Sequence, residues 1–597
     1  GGPSRTLRRN GITNSDWYVV LGGDGHQPAT EPGNPSIVYA QSQEGYLNRI
    51  DRSTGEVVNI RPQEGIDEPY ERFNWDSPIL VSQHNPTTIY FASQRVWKSD
   101  NRGDNWEPIS ADLTKNEERF ALPIMGRVQS IDNAWDVYAM STYNTITSLA
   151  ESKIDPNVLY AGTDDGIIQY TKNGGQNWTK MTVDQLPKTP SSAFVNDIKT
   201  DLFNVSTAYV CLDNHKFGDY KPYLFKTTDG GKSWKSITSG LPEKILVWRL
   251  VQDHINPNLL FLGTEYGVYV SLNQGEKWHK FSNGLPTIPV RDLTIQRREN
   301  DLVLATFGRS FYVLDDFSPL RNFSEEKLNK DVLFEPRKAL QYTPMIGGTS
   351  SDGGASFKRK NPEYGATISY FIKDGFKSLA AQRTKKENAA GLSDDVLDKL
   401  KEAGYSFSNI KDAEKAEIKR KTSFDEKTIN KVLKAIEKHQ AKENDIPFPG
   451  WDALDKEKNE DKPEIMIEIK DQQGEVVRQI VKPLKKGLNR VNWDLSTYNT
   501  TVVKASDKGK RSWRYGGAMY QEVKPGTYNI SLFKIEGTTM SFLGGPVSLE
   551  VERIRSNILT NPLADQHESY YMNLASFTKE VRTYEYQFEK ANDLVKT

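Results

Sequence analysis

Four stretches of the chain share one spacing: SDNRGDNW (Ser99 to Trp106), TKNGGQNW (Thr171 to Trp178), TTDGGKSW (Thr227 to Trp234) and SLNQGEKW (Ser271 to Trp278). Each reads Ser/Thr, any residue, Asn/Asp, any, Gly, any, any, Trp. A recurring unit of this kind limits the fold to architectures built by repetition. Apolar strand patterns precede every copy, and three begin with an Asn-Pro or Asp-Pro turn, as in DPNVLYAGTDDGIIQYT and NPNLLFLGTEYGVYVS. The unit is therefore turn, strand, short turn, strand, box, strand, which is the content of a four-stranded propeller blade. A fifth unit, GNPSIVYAQSQEGYLNRIDRSTGEVVNI, keeps the strands without the box, and a sixth, NDLVLATFGRSFYVLDD, ends the series.

The box has a conformational task. Gly103, Gly175, Gly231 and Gly275 supply a residue that tolerates positive φ, while Ser99, Asn101, Thr171, Asn173, Thr227, Asp229, Ser271 and Asn273 supply oxygens for nearby backbone N–H groups. Trp106, Trp178, Trp234 and Trp278 then bury a large ring between strands. Gly231-Lys232-Ser233 also ends like a phosphate-binding loop, but Lys226 stands where that loop needs its first glycine, and no helix pattern follows. The lysine position holds Asp104, Gln176 and Glu276 in the sister boxes, so it is not a phosphate ligand.

Past residue 322 the pattern changes. Residues 1–322 read as propeller blades, 323–372 as a linker ending in a first sandwich strand, 373–460 as a charged helical insertion, 461–553 as an antiparallel immunoglobulin-like sandwich, and 554–597 as a C-terminal amphipathic helix. In the insertion, SDDVLDKLKEAG is a helix closed by Gly404, and SFDEKTINKVLKAIEKHQ is one opened by a capping box of Ser423 with Glu426. Tyr570, Leu574, Phe577, Val581, Tyr584 and Phe588 form an apolar seam, expected to dock on the rest of the protein, with a partner chain as the alternative. The fold class is mainly β.

Charge sets aside the polyanion binders: 78 Lys and Arg face 79 Asp and Glu among 597 residues, which predicts no nucleic-acid partner. No apolar run is long enough for a membrane span. The single cysteine, Cys211, lies in an apolar run and reads as a buried hydrophobe. No His-Glu-x-x-His or Gly-x-Ser-x-Gly pattern occurs, so neither a metal nor another cofactor is expected.

The boxes resemble the Asp-box, or bacterial neuraminidase repeat, of sialidases, xyloglucan-active glycosidases and the sortilin ectodomain, with Asn101, Asn173 and Asn273 where that family prefers Asp. Over most of its length the chain resembles large sortilin-like repeat proteins of Bacteroidota, often labelled glycosyl hydrolases, through GGPSRT, GITNSDWY, GGDG, RFNWDSPI, GTDDGIIQ, FGRSFYVLDD and GLNRVNWDL. The resemblance implies propellers followed by a module similar to that of flagellar hook-capping proteins. It also implies an extracytoplasmic location, secreted or on the cell surface, and further blades before Gly1. A propeller incomplete in this chain would then take its missing strands from a separate N-terminal segment, or be open.

Two functions follow. The first is a binding scaffold that presents a propeller face to a protein or glycan, with Arg72, Trp75, Arg127 and Arg309 as candidate ligand contacts. The second is a glycoside hydrolase, xyloglucanase-like or sialidase-like, which needs two carboxyl groups roughly 5–10 Å apart. Its candidates are Asp24, Asp164, Asp165 and Glu265, each beside a turn glycine or one residue from it, where an acid is also common for conformational reasons. The sialidase arginine motif Phe-Arg-Ile-Pro is absent from this sequence.

Overall fold

The structure, a computed structural model, describes residues 1–9, 11–24, 27–124, 126–130, 132, 142–324, 329–345, 357–389, 394–405, 410, 413–441, 449–497, 522–554 and 564–596. It divides into two compact units, residues 1–324 with 343–362, and residues 325–342 with 363–597.

The first unit is a succession of antiparallel sheets, each paired in chain order: four strands in residues 29–59, 79–108, 146–182, 194–236 and 247–281, and three in residues 290–314. We number these blades one to six. Their middle strands are largely buried; Leu260–Thr264 and Gly267–Ser271 are buried at every residue. Both faces of such a strand are covered, because successive blades stack face to face. Blades three and four share a core that includes Tyr160, Ile168, Ile198 and Val210. Blades four and five share Cys211, Leu224, Leu250 and Leu262, and blades five and six share Phe261, Val268, Leu293 and Leu302. The turn after the first strand of blade six meets the corresponding turn of blade two, Arg297 Nη1 lying 3.5 Å from Gln83 Oε1. The stack therefore curves into a propeller, with the first strand of each blade innermost.

All four boxes fold alike, at the turn into the outermost strand. The first hydroxyl accepts the N–H of the glycine four residues on: Ser99 from Gly103 at 2.8 Å, Thr171 from Gly175 at 3.1 Å, Thr227 from Gly231 at 3.0 Å and Ser271 from Gly275 at 2.8 Å. The Asn or Asp accepts another N–H, as Asn101 does from Asn105 and Asp229 from Ser233, both at 3.0 Å. The glycines have φ between +87° and +98°, and a Cβ on Gly175 would lie 2.6 Å from the Ile109 carbonyl oxygen of the preceding blade. The tryptophans join blade to blade: Trp106 Nε1 donates to Ile60 O at 2.7 Å, Trp178 to Ile109 O at 3.0 Å and Trp278 to Ile237 O at 2.7 Å. Trp234 is the exception, its buried Nε1 finding no acceptor among the described residues. The carbonyl in the equivalent place, Val183 O, is taken by Leu186 N in a short 3-10 turn.

Among the described residues blade six has three strands, and its outward face is not covered as the others are: Asp292, Thr294, Phe311 and Val313 are exposed. The N-terminal segment lies between this face and blade one. Trp17 stacks on Phe311 with centroids 6.2 Å apart, and Val20 and Leu21 pack on Val38, Ala40 and Ile50.

The second unit contains a five-stranded sheet, ordered Ala339–Gln341, Thr539–Arg553, Gly526–Glu536, Glu464–Lys470, Val476–Pro483, and a three-stranded sheet, ordered Val332–Leu333, Ala366–Ile372, Gly487–Trp493. They share one core, in which Ile467 and Leu532 of the first sheet join Ile368 and Trp493 of the second. Residues 323–372, read from sequence as a linker ending in a first sandwich strand, hold three strands of this unit, and within them 343–362 return to the first unit, where Lys358–Arg359 pairs with Ile12–Thr13. Helices Asp394–Glu402, Lys415–Thr422 and Glu426–Ala441 pack around Leu400, Ile418, Phe424, Ile429 and Val432.

Two sequence expectations are corrected. Ser423 does not open the helix that follows; it ends the one before, in a left-handed conformation with φ of 56°. Asp425 provides the cap, accepting the Thr428 N–H at 2.7 Å, because its carboxylate is within reach of the first turn once Ser423 has turned away. The C-terminal helix, Ala564–Lys596, leaves its seam in solvent, with Phe577, Tyr584 and Phe588 exposed, instead of docking it. Among the described residues no helix is long and apolar enough to cross a membrane.

Candidate functional site

The innermost strands of blades three to six each begin with a bulge, between Ile146 and Ser148, Val195 and Asp197, Val247 and Arg249, and Val290 and Asp292. A bulge inserts one unpaired residue and re-aims its side chain. The inserted residues are Thr147, Asn196, Trp248 and Arg291. The first two tie each blade to the next: Thr147 Oγ1 donates to Val195 O at 2.7 Å, and Asn196 Nδ2 to Val247 O at 3.1 Å. Trp248 breaks the series. Its ring is buried, its Nε1 finds no acceptor among the described residues, and the Arg291 guanidinium sits 3.7 Å from its centroid. The other edge of Trp248 meets the His215 ring, 5.9 Å away and nearly perpendicular.

Carboxylates surround this pair. Arg249 Nη1 lies 3.3 Å from Asp197 Oδ1, and its Nε lies 3.9 Å from Asp292 Oδ1. Burial works against the Arg249 charge, but Asp197, Asp292 and Asp76 outweigh it and raise its pKa. Arg291 moves the other way: burial lowers its pKa, and Glu265 and Asp213 oppose that only in part. Asp213 is held by His215, whose ring nitrogen and backbone N–H both contact Oδ1. The result is a half-open cluster in which a buried indole lies beneath an exposed guanidinium, with a second guanidinium and carboxylates from three blades and the 60–78 connection around them.

Most of the residues singled out from sequence lie elsewhere. Asp164, on the hairpin of blade three, is buried, and both oxygens are used: Oδ1 accepts Thr145 N at 2.8 Å, and Oδ2 accepts Thr145 Oγ1 at 2.7 Å. Burial nevertheless pushes its pKa up to about 7. Asp165 accepts Lys115 N at 2.6 Å and the Thr163 hydroxyl, and burial raises its pKa too. These acids hold the 109–145 connection onto the hairpin and offer little surface to a substrate. Arg72 does similar work, reaching Asn144 O at 3.2 Å and Asp112 Oδ2 at 2.6 Å. Trp75 is half-buried in the same connection as Asp76. Asp24 and Arg309 lie on exposed loops and Arg127 on the exposed short strand Arg127–Val128, and Glu265 alone of the candidates acts on the Trp248 cluster, through the charge of Arg291. No group of three or more metal-ligating side chains occurs among the described residues.

Asp197 and Asp292 are not picked out by sequence reasoning, and Trp248 and Arg291 stand out there only as members of the chain's many aromatics and arginines. The signal was present but weak: an apolar residue followed by Thr, Asn, Trp or Arg at the head of four equivalent strands, with the last two departing from the small polar type.

No protein-family model matches the chain, and no curated protein matches it. Among solved structures, the GH74 xyloglucanase from Xanthomonas campestris is 13% identical over 60% of this chain and 59% of its own, with a TM-score of 0.34. An ancestral GH74 enzyme is 14% identical over 61% of this chain and 45% of its own, with a TM-score of 0.34. YCF48 bound to D1 peptide is 8% identical over 47% of this chain and 76% of its own, with a TM-score of 0.32. The chain spans less than two thirds of the length of these GH74 structures. Its architecture accordingly rests on its own sheets: a mainly β propeller with a second, two-sheet unit and a C-terminal helix.

Proposed function

We propose that the propeller binds a protein or glycan ligand at the Trp248–Arg291 cluster and does not act on it chemically. The observation that supports this reading is the break in the bulge series. Two blades use the inserted residue to tie the ring together, whereas blades five and six use it to build a stacked Trp–Arg pair with an unsatisfied indole N–H. An exposed guanidinium laid over a buried indole, with carboxylate groups around it, offers charged hydrogen-bonding groups that suit sugar hydroxyls or a polar peptide. Against hydrolysis, Asp164, whose pKa favours a general acid, already has both oxygens engaged. An extracytoplasmic location is part of the same proposal and comes from the family resemblance.

The test combines binding and turnover. The chain is titrated with xyloglucan fragments, sialosides and extracytoplasmic peptides, using Arg291→Ala as the site variant, and reducing ends are assayed in parallel. Saturable binding weakened at least tenfold by Arg291→Ala, with no product formed, is the expected result. Reducing ends that vanish in Glu265→Gln or Asp164→Asn would replace this reading with the glycoside hydrolase. Binding untouched by Arg291→Ala would place the ligand elsewhere.

A further inference from the structure

The C-terminal helix Ala564–Lys596 is 33 residues long, about 50 Å. Its seam from Tyr570 to Phe588 continues through Ala591 and Val595 at the same alternating steps of four and three. That period is 3.5 and not the 3.6 of a straight helix lying on a globular surface, and a seam kept in phase this long is the pattern of supercoiling with another helix. Phe577, Tyr584 and Phe588 are 63%, 69% and 72% exposed, so no described part of this chain covers them.

We propose that the seam is the interface of a homodimer, in which two C-terminal helices lie antiparallel with the two-fold axis between Val581 and Tyr584. In that register the seam is complementary to itself. Val581 faces Tyr584 of the second copy, Phe577 faces Phe588, Leu574 faces Ala591 and Tyr570 faces Val595, so a bulky side chain meets a smaller one in three of the four kinds of layer. Charge separates the orientations. The antiparallel register sets Glu580 beside Gln587 and Thr578 beside Glu585, whereas a parallel pair sets Glu580 against Glu585 on both flanks. Area suffices as well: the four aromatic residues bury roughly 150 Å² each, about 1,200 Å² over both helices before the aliphatic residues are added, which reaches the range of specific interfaces.

Sedimentation velocity on the full chain at tens of micromolar tests the proposal. A dimer is expected, and Phe577→Asp with Phe588→Asp should return a monomer with unchanged far-UV circular dichroism. A monomeric parent chain overturns the proposal, as does a dimer that survives both substitutions. Orientation is read by oxidation, since the native Cys211 is buried and cannot compete. A mixture of Val581→Cys and Tyr584→Cys chains should cross-link, and Val581→Cys alone should not. Cross-linking by Val581→Cys alone would show a parallel pair and refute the antiparallel register, even if the aspartate variants unfold the helix.

Discussion

Replacing Trp278 and Trp234 in turn by Phe gives a sharp test of how the boxes hold the propeller together. Both tryptophans occupy the same place in their blades, and both substitutions remove the second ring of the indole, a loss of roughly 1–2 kcal/mol for a large-to-smaller change in packed surroundings. Trp234 is the less buried of the two, Trp278 being 2% exposed, and the N–H differs as well. Trp278 Nε1 donates to Ile237 O at 2.7 Å, and Ile237 is itself buried. Trp278→Phe therefore leaves a buried carbonyl without its partner, a further ~1–3 kcal/mol. Trp234 Nε1 is buried without an acceptor, so the folded chain already bears that desolvation cost, and Trp234→Phe relieves it. The expected result is a loss of about 3 kcal/mol for Trp278→Phe and about 1 kcal/mol or less for Trp234→Phe. Denaturant unfolding followed by far-UV circular dichroism reads the difference as a shift in midpoint, both variants keeping the same number of tryptophans. Equal destabilisation, or a larger loss at Trp234, would refute the argument that the indole-to-carbonyl bond between blades, and not ring burial alone, sets the contribution of each box.

Three further outcomes are expected. The Asp164 carboxyl is pushed up to about 7 by burial, so its proton is held more tightly folded than unfolded; its stabilising contribution is full below roughly pH 4 and lost as the pH rises through 7, at most about 4 kcal/mol. Asp164→Asn should thus raise the melting temperature at pH 8 and change it little near pH 4, and an equal shift at both would contradict the assigned cause. Arg249→Met leaves Asp197, 1% exposed, with Lys199 at 3.3 Å and the Leu250 N–H; thermal unfolding should show a loss of about 3 kcal/mol, and no loss would mean that Lys199 alone balances the buried charge. Gly175→Ala and Gly284→Ala both place Cβ at positive φ, but only the first meets a backbone carbonyl, at 2.6 Å; it should cost ~1–3 kcal/mol more in the same assay, and matched losses would show that the blades can part to accept the methyl group.

The boxes were legible because everything they need lies within eight residues. A hydroxyl accepts an N–H four residues on, a glycine supplies positive φ, and neither interaction depends on the rest of the chain. The same holds for the buried middle strands, whose apolar runs show that both faces are covered, and together these features dictate repeated four-stranded units and hence a mainly β propeller. Sequence reasoning failed where the partner is distant or where two local motifs compete. Ser423 matched a capping pattern but was claimed by the preceding helix end, and the C-terminal seam showed its period without showing what covers it. The candidate site belongs wholly to the second class. Trp248, Arg291, Asp197 and Asp76 come from blades four to six and a connection far away in the chain, and they meet because a bulge turns each inserted side chain out of its strand and the ring brings the blades into register. Strand alternation and turn chemistry are properties of short segments, so the sequence alone determined the repeat and the conformation of its turns. The environment of a side chain is set by whichever neighbours the packed blades deliver, so only the tertiary structure could decide that Asp164 is engaged within the protein and that the arginine of blade six stacks over the buried tryptophan of blade five.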